Sequence, residues 1–140
     1  MATLKISDLS VGDWVQDNYG DYVKVAGIWQ GCNFNYQVDI LRDGRIGTIV
    51  PCNLHSIPIT AEILEKNGFA RGQRGDFYHY IRLDKNRTLY IHASTNGWRV
   101  EITYDAAGIL RTTHLMPDIN SVHGLQHALR LTGVDKEINL

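Results

Sequence analysis

Between residues 77 and 104 the chain reads "FYHYIRLDKNRTLYIHASTNGWRVEITY", and its strict alternation constrains the fold more than any other feature. A strand sends successive side chains to opposite faces. A period of two running through three turn-punctuated segments, with "ILRTTHL" as a fourth, therefore describes an antiparallel meander. Its apolar face is expected to carry Phe77, His79, Ile81, Leu83, Leu89, Ile91, Trp98, Val100, Ile102 and Tyr104. The other face is expected to carry Tyr78, Tyr80 and Arg82 from the first strand, Tyr90 and His92 from the second, Arg99 and Glu101 from the third, and Arg111 from the fourth. A three-residue turn at Asp84, Lys85 and Asn86 sets Tyr80 opposite Tyr90, Tyr78 opposite His92 and Ile81 opposite Leu89. In that register the pleat and the hydrophobic pattern agree.

Tyrosines, a histidine and arginines on one sheet face suit a nucleotide-like ligand, because flat rings stack on bases and guanidinium groups grip phosphates in two-pronged fashion. The ligand-binding residues expected on this ground are Tyr78, Tyr80, Arg82, Tyr90, His92, Arg99 and Arg111. The competing explanation is an outer face that is simply solvated or covered, since tyrosine is a good strand former and arginine is soluble.

Ahead of the meander, "DWVQ", "YVKVAGIW", "NYQVDIL" and "RIGTIV" read as short strands broken by "DNYGD", "QGCN" and the Asp43-Gly44 pair. An Asp-Gly pair readily supplies the positive φ angles of a tight hairpin. Four or five short strands in about 50 residues are expected to form a small SH3-like barrel. Trp14 and Tyr22 are expected in its core, whereas Tyr19 and Trp29 adjoin turns and are expected to be exposed.

"IPITAEILEKNGF" is a helix with both ends written in: Thr60 as N-cap, Ile59 and Leu64 as a hydrophobic staple, Gly68 as left-handed terminator with Phe69 folding back on Leu64. "ARGQRGD" then reads as a polar loop. A last helix is predicted from Ser121 to Thr132, with Val122, Leu125 and Leu129 on one face and Gly133 past its end. The fold class is α+β. An SH3-like β-barrel lobe at 1–57 precedes a lobe at 58–140 made of a helix, a four-stranded antiparallel meander and a C-terminal helix.

The chain has 140 residues, 44% of them hydrophobic, enough for one compact domain or two small lobes sharing a core. Its net charge of −1 argues against a non-specific nucleic-acid partner, which draws affinity from an excess of Lys and Arg. Any anion site must be a local cluster. No apolar run is long enough to span a bilayer, and "MATLKISDLSVGDW" lacks the pattern of a signal peptide, so a cytoplasmic protein with no membrane partner is expected. Cys32 and Cys52 are accordingly expected as reduced thiols, and homo-oligomerisation is left open.

Three stretches, "ISDLSVGDWV", "IPITAEILEKNGF" and "VHGLQHALRLTG", resemble in that order a family of small proteins of unassigned activity found in Bacteroidetes and in phages and prophages of that group. The matched positions are Ile6, Asp8, Leu9, Gly12, Asp13 and Val15, then Ile57, Pro58, Ile59, Thr60, Leu64, Gly68 and Phe69, then Val122, His123, Leu125, Gln126, Leu131, Thr132 and Gly133. The resemblance spans almost the whole chain and rests on caps, turns and core positions. It implies a fold and a phage setting inside a bacterial host cell, not a reaction.

His123 and His127 stand four apart, on one helix face, as a metal-binding pair would. Gly124 occupies the place where the metalloprotease signature needs a glutamate, and no spacing rule supplies a third ligand from His114, Asp118 or Glu137. Neither a metal nor a cofactor is expected. None of Ser7, Ser10, Ser56, Ser94 and Ser121 sits in a nucleophile elbow, and "GQRGD" follows a helix and precedes a strand, the reverse of a phosphate-cradling loop. The expected function is that of a non-enzymatic phage or prophage protein that sequesters a small anionic signalling nucleotide and so counters bacterial defence. The alternative is an SH3-like interaction module docking on protein or nucleic acid, and a small nucleotide hydrolase comes third.

Overall fold

The computed structural model describes residues 4–33, 35–72, 78–114, 118–133 and 135–140. Phe77, Leu115 and the "RGD" at 74–76 lie outside the described residues. The chain forms two units, Met1–Pro58 with Ser121–His123, and Ile59–Asn120 with Gly124–Leu140. Both are built on antiparallel sheets.

In the first unit β1 (Trp14–Gln16), β2 (Tyr22–Gln30), β3 (Tyr36–Arg42) and β4 (Arg45–Ile49) follow one another in sheet order. The β3–β4 hairpin closes through Asp43 and Gly44, both at positive φ, as an Asp-Gly pair favours. A 3-10 turn at Pro51–Asn53 leads the chain back to β1, where His55 and Gln16 exchange backbone hydrogen bonds of 2.8 and 2.9 Å. Val15, Val23, Val25, Val38, Ile40 and Leu54 form the core with Leu4 and Leu9.

The expectation that Trp14 and Tyr22 join this core fails. Val15 pairs with Val23 and both point inward, so their neighbours take the opposite face. Tyr22 is 47% exposed, and Trp14 carries the Lys24 ammonium 5.2 Å from its ring centre.

Asp17 anchors the turn between β1 and β2. Its buried carboxylate accepts the Tyr19 and Asp21 amides, each at 2.9 Å, and pairs with the Arg42 guanidinium.

The second unit is α+β. A short helix α1 (Ala61–Lys66) precedes the sheet order β5 (Ala70–Arg71), β6 (Tyr78–Arg82), β7 (Arg87–Ser94), β8 (Gly97–Ala106), β9 (Ile109–His114), and α2 (Val122–Leu131) follows, its residues from Gly124 on belonging to this unit. Six residues are too few to hold a helix alone, so α1 depends on its ends and its packing. Thr60 Oγ1 accepts the Ile63 amide at 3.2 Å, and both staple residues, Ile59 and Leu64, are buried. At the other end the Gly68 amide bonds Glu65 O and the Phe69 amide bonds Leu64 O, the pairing of a Schellman ending with Gly68 left-handed. Asn67, buried, then holds the chain's last residues: its amide group exchanges hydrogen bonds of 2.7 and 2.9 Å with the Asn139 backbone. No helix among the described residues is long and apolar enough to cross a membrane.

Replacing Asp17 by alanine strands the Tyr19 and Asp21 amides and the Arg42 guanidinium together. The loss is expected to be about 2 kcal/mol or more, because hydrogen bonds to a charged group are each worth roughly 1.5–3 kcal/mol. Urea denaturation followed by circular dichroism measures it, and a change below about 0.5 kcal/mol would contradict this role for Asp17.

Candidate functional site

The β6–β7 hairpin forms in the register expected: Tyr78 pairs with His92, Tyr80 with Tyr90 and Ile81 with Leu89. One turn fixes all three pairs. Asp84 accepts the Asn86 and Arg87 amides at 2.9 Å each and the Arg87 Nε at 2.7 Å, while the Leu83 amide bonds Arg87 O at 2.9 Å. The Arg87 guanidinium also donates to Thr132 O at 2.6 Å, placing a cation beyond the C-terminal end of α2.

On the apolar face, Leu89, Ile91 and Val100 are fully buried and His79 is nearly so. The His79 Nε2 lies 3.4 Å from Glu65, a residue of α1, which places that helix against this face. The opposite face gathers four rings, all half-buried. Tyr78 lies 5.6 Å from His92, 6.0 Å from Tyr90 and 6.3 Å from Tyr80, centre to centre. Tyr80 and Tyr90 are 6.0 Å apart, and Tyr90 and His92 stack at 6.2 Å with their planes 22° apart. These separations are those of mutually attracting ring pairs. Gly72, past the end of β5, lies under Tyr78, and a Cβ there would overlap the ring. Glycine at that position therefore lets Tyr78 lie down against the sheet.

Arg82 and Arg99 stand on the tyrosine face, as expected, but both guanidinium groups have partners of their own. Arg82 donates to Asp84 O at 3.1 Å and to Lys85 O at 2.8 Å, so its guanidinium closes the turn. Arg99 Nε faces Asp118 at 3.9 Å. Arg111 does not share the tyrosine face at all. The turn from β8 to β9 is a two-residue one, Ala107 and Gly108 both at positive φ, and it pairs Tyr104 with Arg111, which puts Arg111 on the face of Val100 and Ile102. A register counted from a left-handed alanine was not readable from "DAAG".

Beyond the rings the face becomes polar. His92, Ala93, Ser94, Arg99 and Glu101 line a recess of about 280 Å³. His92 Nε2 lies 3.5 Å from Glu101, and Ser94 Oγ donates to Asp118 at 2.5 Å. Sequence reasoning assigned neither Ser94 nor Asp118 to the site. Asp118 arrives there because Ile119 takes the place of β9 beside Trp98, exchanging hydrogen bonds of 2.7 and 2.8 Å with it. No local pattern announces an isolated bridge of that kind.

His123 is buried in the first turn of α2, its Nε2 3.5 Å from Ser121 Oγ. Among the described residues no three His, Cys, Asp or Glu side chains converge as a metal site would require. Cys32 and Cys52 are free and exposed. A larger recess, about 580 Å³, lies along the β3–β4 hairpin between Ile40, Arg42, Arg45 and Ile49, but Arg42 is already committed to Asp17. Comparison with protein-family models, with curated proteins and with solved structures finds no match to this chain.

The Asn86 amide, followed by the Arg87 guanidinium, holds the Asp84 carboxyl below the ordinary carboxylate range. A carboxyl depressed on folding adds stability above its unfolded pKa, about 3.9, and loses it as the pH falls through the folded value. Carboxyl-detected NMR is expected to give Asp84 a midpoint below that of an unperturbed aspartate. An ordinary midpoint would mean that the turn does not hold this geometry in solution.

Proposed function

We propose that this protein is a non-enzymatic binding protein that captures a small, nucleotide-like molecule on the tyrosine face of its second unit. The observation that carries this reading is the contiguous platform of Tyr78, Tyr80, Tyr90 and His92, four half-buried rings backed by a packed apolar face. A flat heteroaromatic ring stacks on such a surface whatever its sequence of heteroatoms, and each base–ring contact is worth about 1–3 kcal/mol. Arg99 stands beside the platform, cross-strand from His92, as a positively charged group on the same face. In the phage setting that the resemblance implies, capture of a signalling nucleotide in the bacterial cytoplasm would blunt a host defence response.

A second reading, an SH3-like module in the first unit, is favoured by a specific set of observations. The four-stranded sheet is followed by the Pro51–Asn53 turn and by a return of the chain to β1 at the Gln16–His55 bridge, and Tyr19 and Trp29 are 87% and 45% exposed. Small barrels present aromatic side chains of this kind to peptides.

Calorimetric titration with mono-, di- and cyclic nucleotides distinguishes the two. Binding is expected, weakened about 5- to 100-fold by Tyr90→Ala and left unchanged by Trp29→Ala. Tyr90 lies away from the core, so the fold is expected to survive its removal. Silence across the nucleotide panel, or a loss on Trp29→Ala alone, would transfer the function to the first unit.

A further inference from the structure

The four rings of the platform come in two pairs, one on each of two neighbouring strands. Tyr78 and Tyr80 stand on β6 with their centres 6.3 Å apart, and Tyr90 and His92 stand on β7 with theirs 6.2 Å apart. Across the strands the spacing is much the same, 6.0 Å from Tyr80 to Tyr90 and 5.6 Å from Tyr78 to His92. The centres therefore mark a rhombus, with Tyr78 and Tyr90, 6.0 Å apart, on its short diagonal and Tyr80 and His92 at its far corners. The ring planes divide the same way. Tyr90 and His92 lie within 22° of each other, whereas Tyr78 is inclined 39° to His92 and 54° to Tyr90, and Tyr80 is inclined 37° to Tyr90. A rigid base lying flat on the β7 pair is thus steeply inclined to the β6 pair and leaves it bare. Gly72 extends the β6 pair outward: its amide bonds Tyr78 O at 3.0 Å, and the Tyr78 ring occupies the space that a Cβ there would take.

Resting on the ring-binding reading above, we infer that the platform takes two bases at once, one on each strand's pair of rings, so that the preferred ligand is a dinucleotide. Aromatic side chains on neighbouring strands of an open sheet stack two or three bases in this way. Joining the bases makes the second contact intramolecular, and affinity rises by the effective concentration that the linker sets. The border of the platform limits the number to two. At one end Arg82 pairs with Thr88, at the other the next residue of β7 on this face is Ser94, and on β8 the cross-strand neighbours of His92 and Tyr90 are Arg99 and Glu101. None of these neighbours carries a ring. Two adjoining bases belong to a free dinucleotide and to a longer single strand alike, and the test separates them.

The test is titration calorimetry of the full chain with adenosine, the dinucleotide ApA, a longer oligoadenylate, and adenosine 5′-methylphosphate, a one-base compound with the single charge of ApA. Two adenosines are expected to bind per chain, and one ApA, the latter about 10- to 100-fold more tightly than the methylphosphate. In Tyr80→Ala, which removes a far corner of the β6 pair on the side away from the core, that ratio is expected to fall below about threefold. A single adenosine per chain, or ApA binding no more tightly than the methylphosphate, would overturn the two-base site while leaving the ring platform standing. So would an ApA affinity untouched by Tyr80→Ala. The oligoadenylate binding over about tenfold more tightly than ApA would overturn it in favour of a longer strand. Binding of none of the four would overturn both the two-base site and the platform.

Discussion

Much of the second unit depends on one carboxylate. Asp84 gathers two backbone amides and the Arg87 guanidinium into a three-residue turn, and the turn decides which residues of β6 and β7 stand opposite one another. Side chains alternate along a strand, so a slip of one residue would bury the tyrosines and turn Ile81 and Leu89 to solvent. The four-ring platform is therefore a consequence of register. Burial reinforces it, since a slipped register would take the fully buried Leu89 and Ile91 out of the core.

Local needs shape the charges around the platform as much as any ligand could. Arg82 satisfies carbonyls in its own turn and Arg99 faces a carboxylate delivered by the segment after β9. Counting arginines along the sequence overstates how basic this surface is. The surface combines an aromatic floor with a wall of mixed donors and acceptors.

The elements were legible wherever alternation, capping and turn chemistry agreed. Thr60, Gly68 and the Asp43-Gly44 pair each act where sequence chemistry places them, the meander's first two strands fall in the expected register, and the third turns the expected residues to each face. Three kinds of feature were not legible. Parity in the three-residue β1 is set by tertiary packing, so Trp14 went outward once Val15 took the core. Arg111 crossed to the other face because a two-residue turn uses a left-handed Ala107, a conformation alanine rarely adopts. The strand Ala70–Arg71, within a stretch that read as loop, and the Asp118 contact with Ser94 come from long-range pairing that no window of sequence contains.

The central claim is that flat ligands lie on the face of Tyr78, Tyr80, Tyr90 and His92. Aromatic proton–carbon NMR of the chain during an adenosine titration tests it most directly, because a stacked base shifts the ring resonances beneath it upfield. The account predicts saturable upfield shifts at those four residues, with Tyr104 and Trp98 on the opposite face unmoved. Shifts confined to Tyr19 and Trp29, or none at saturating adenosine, would contradict it.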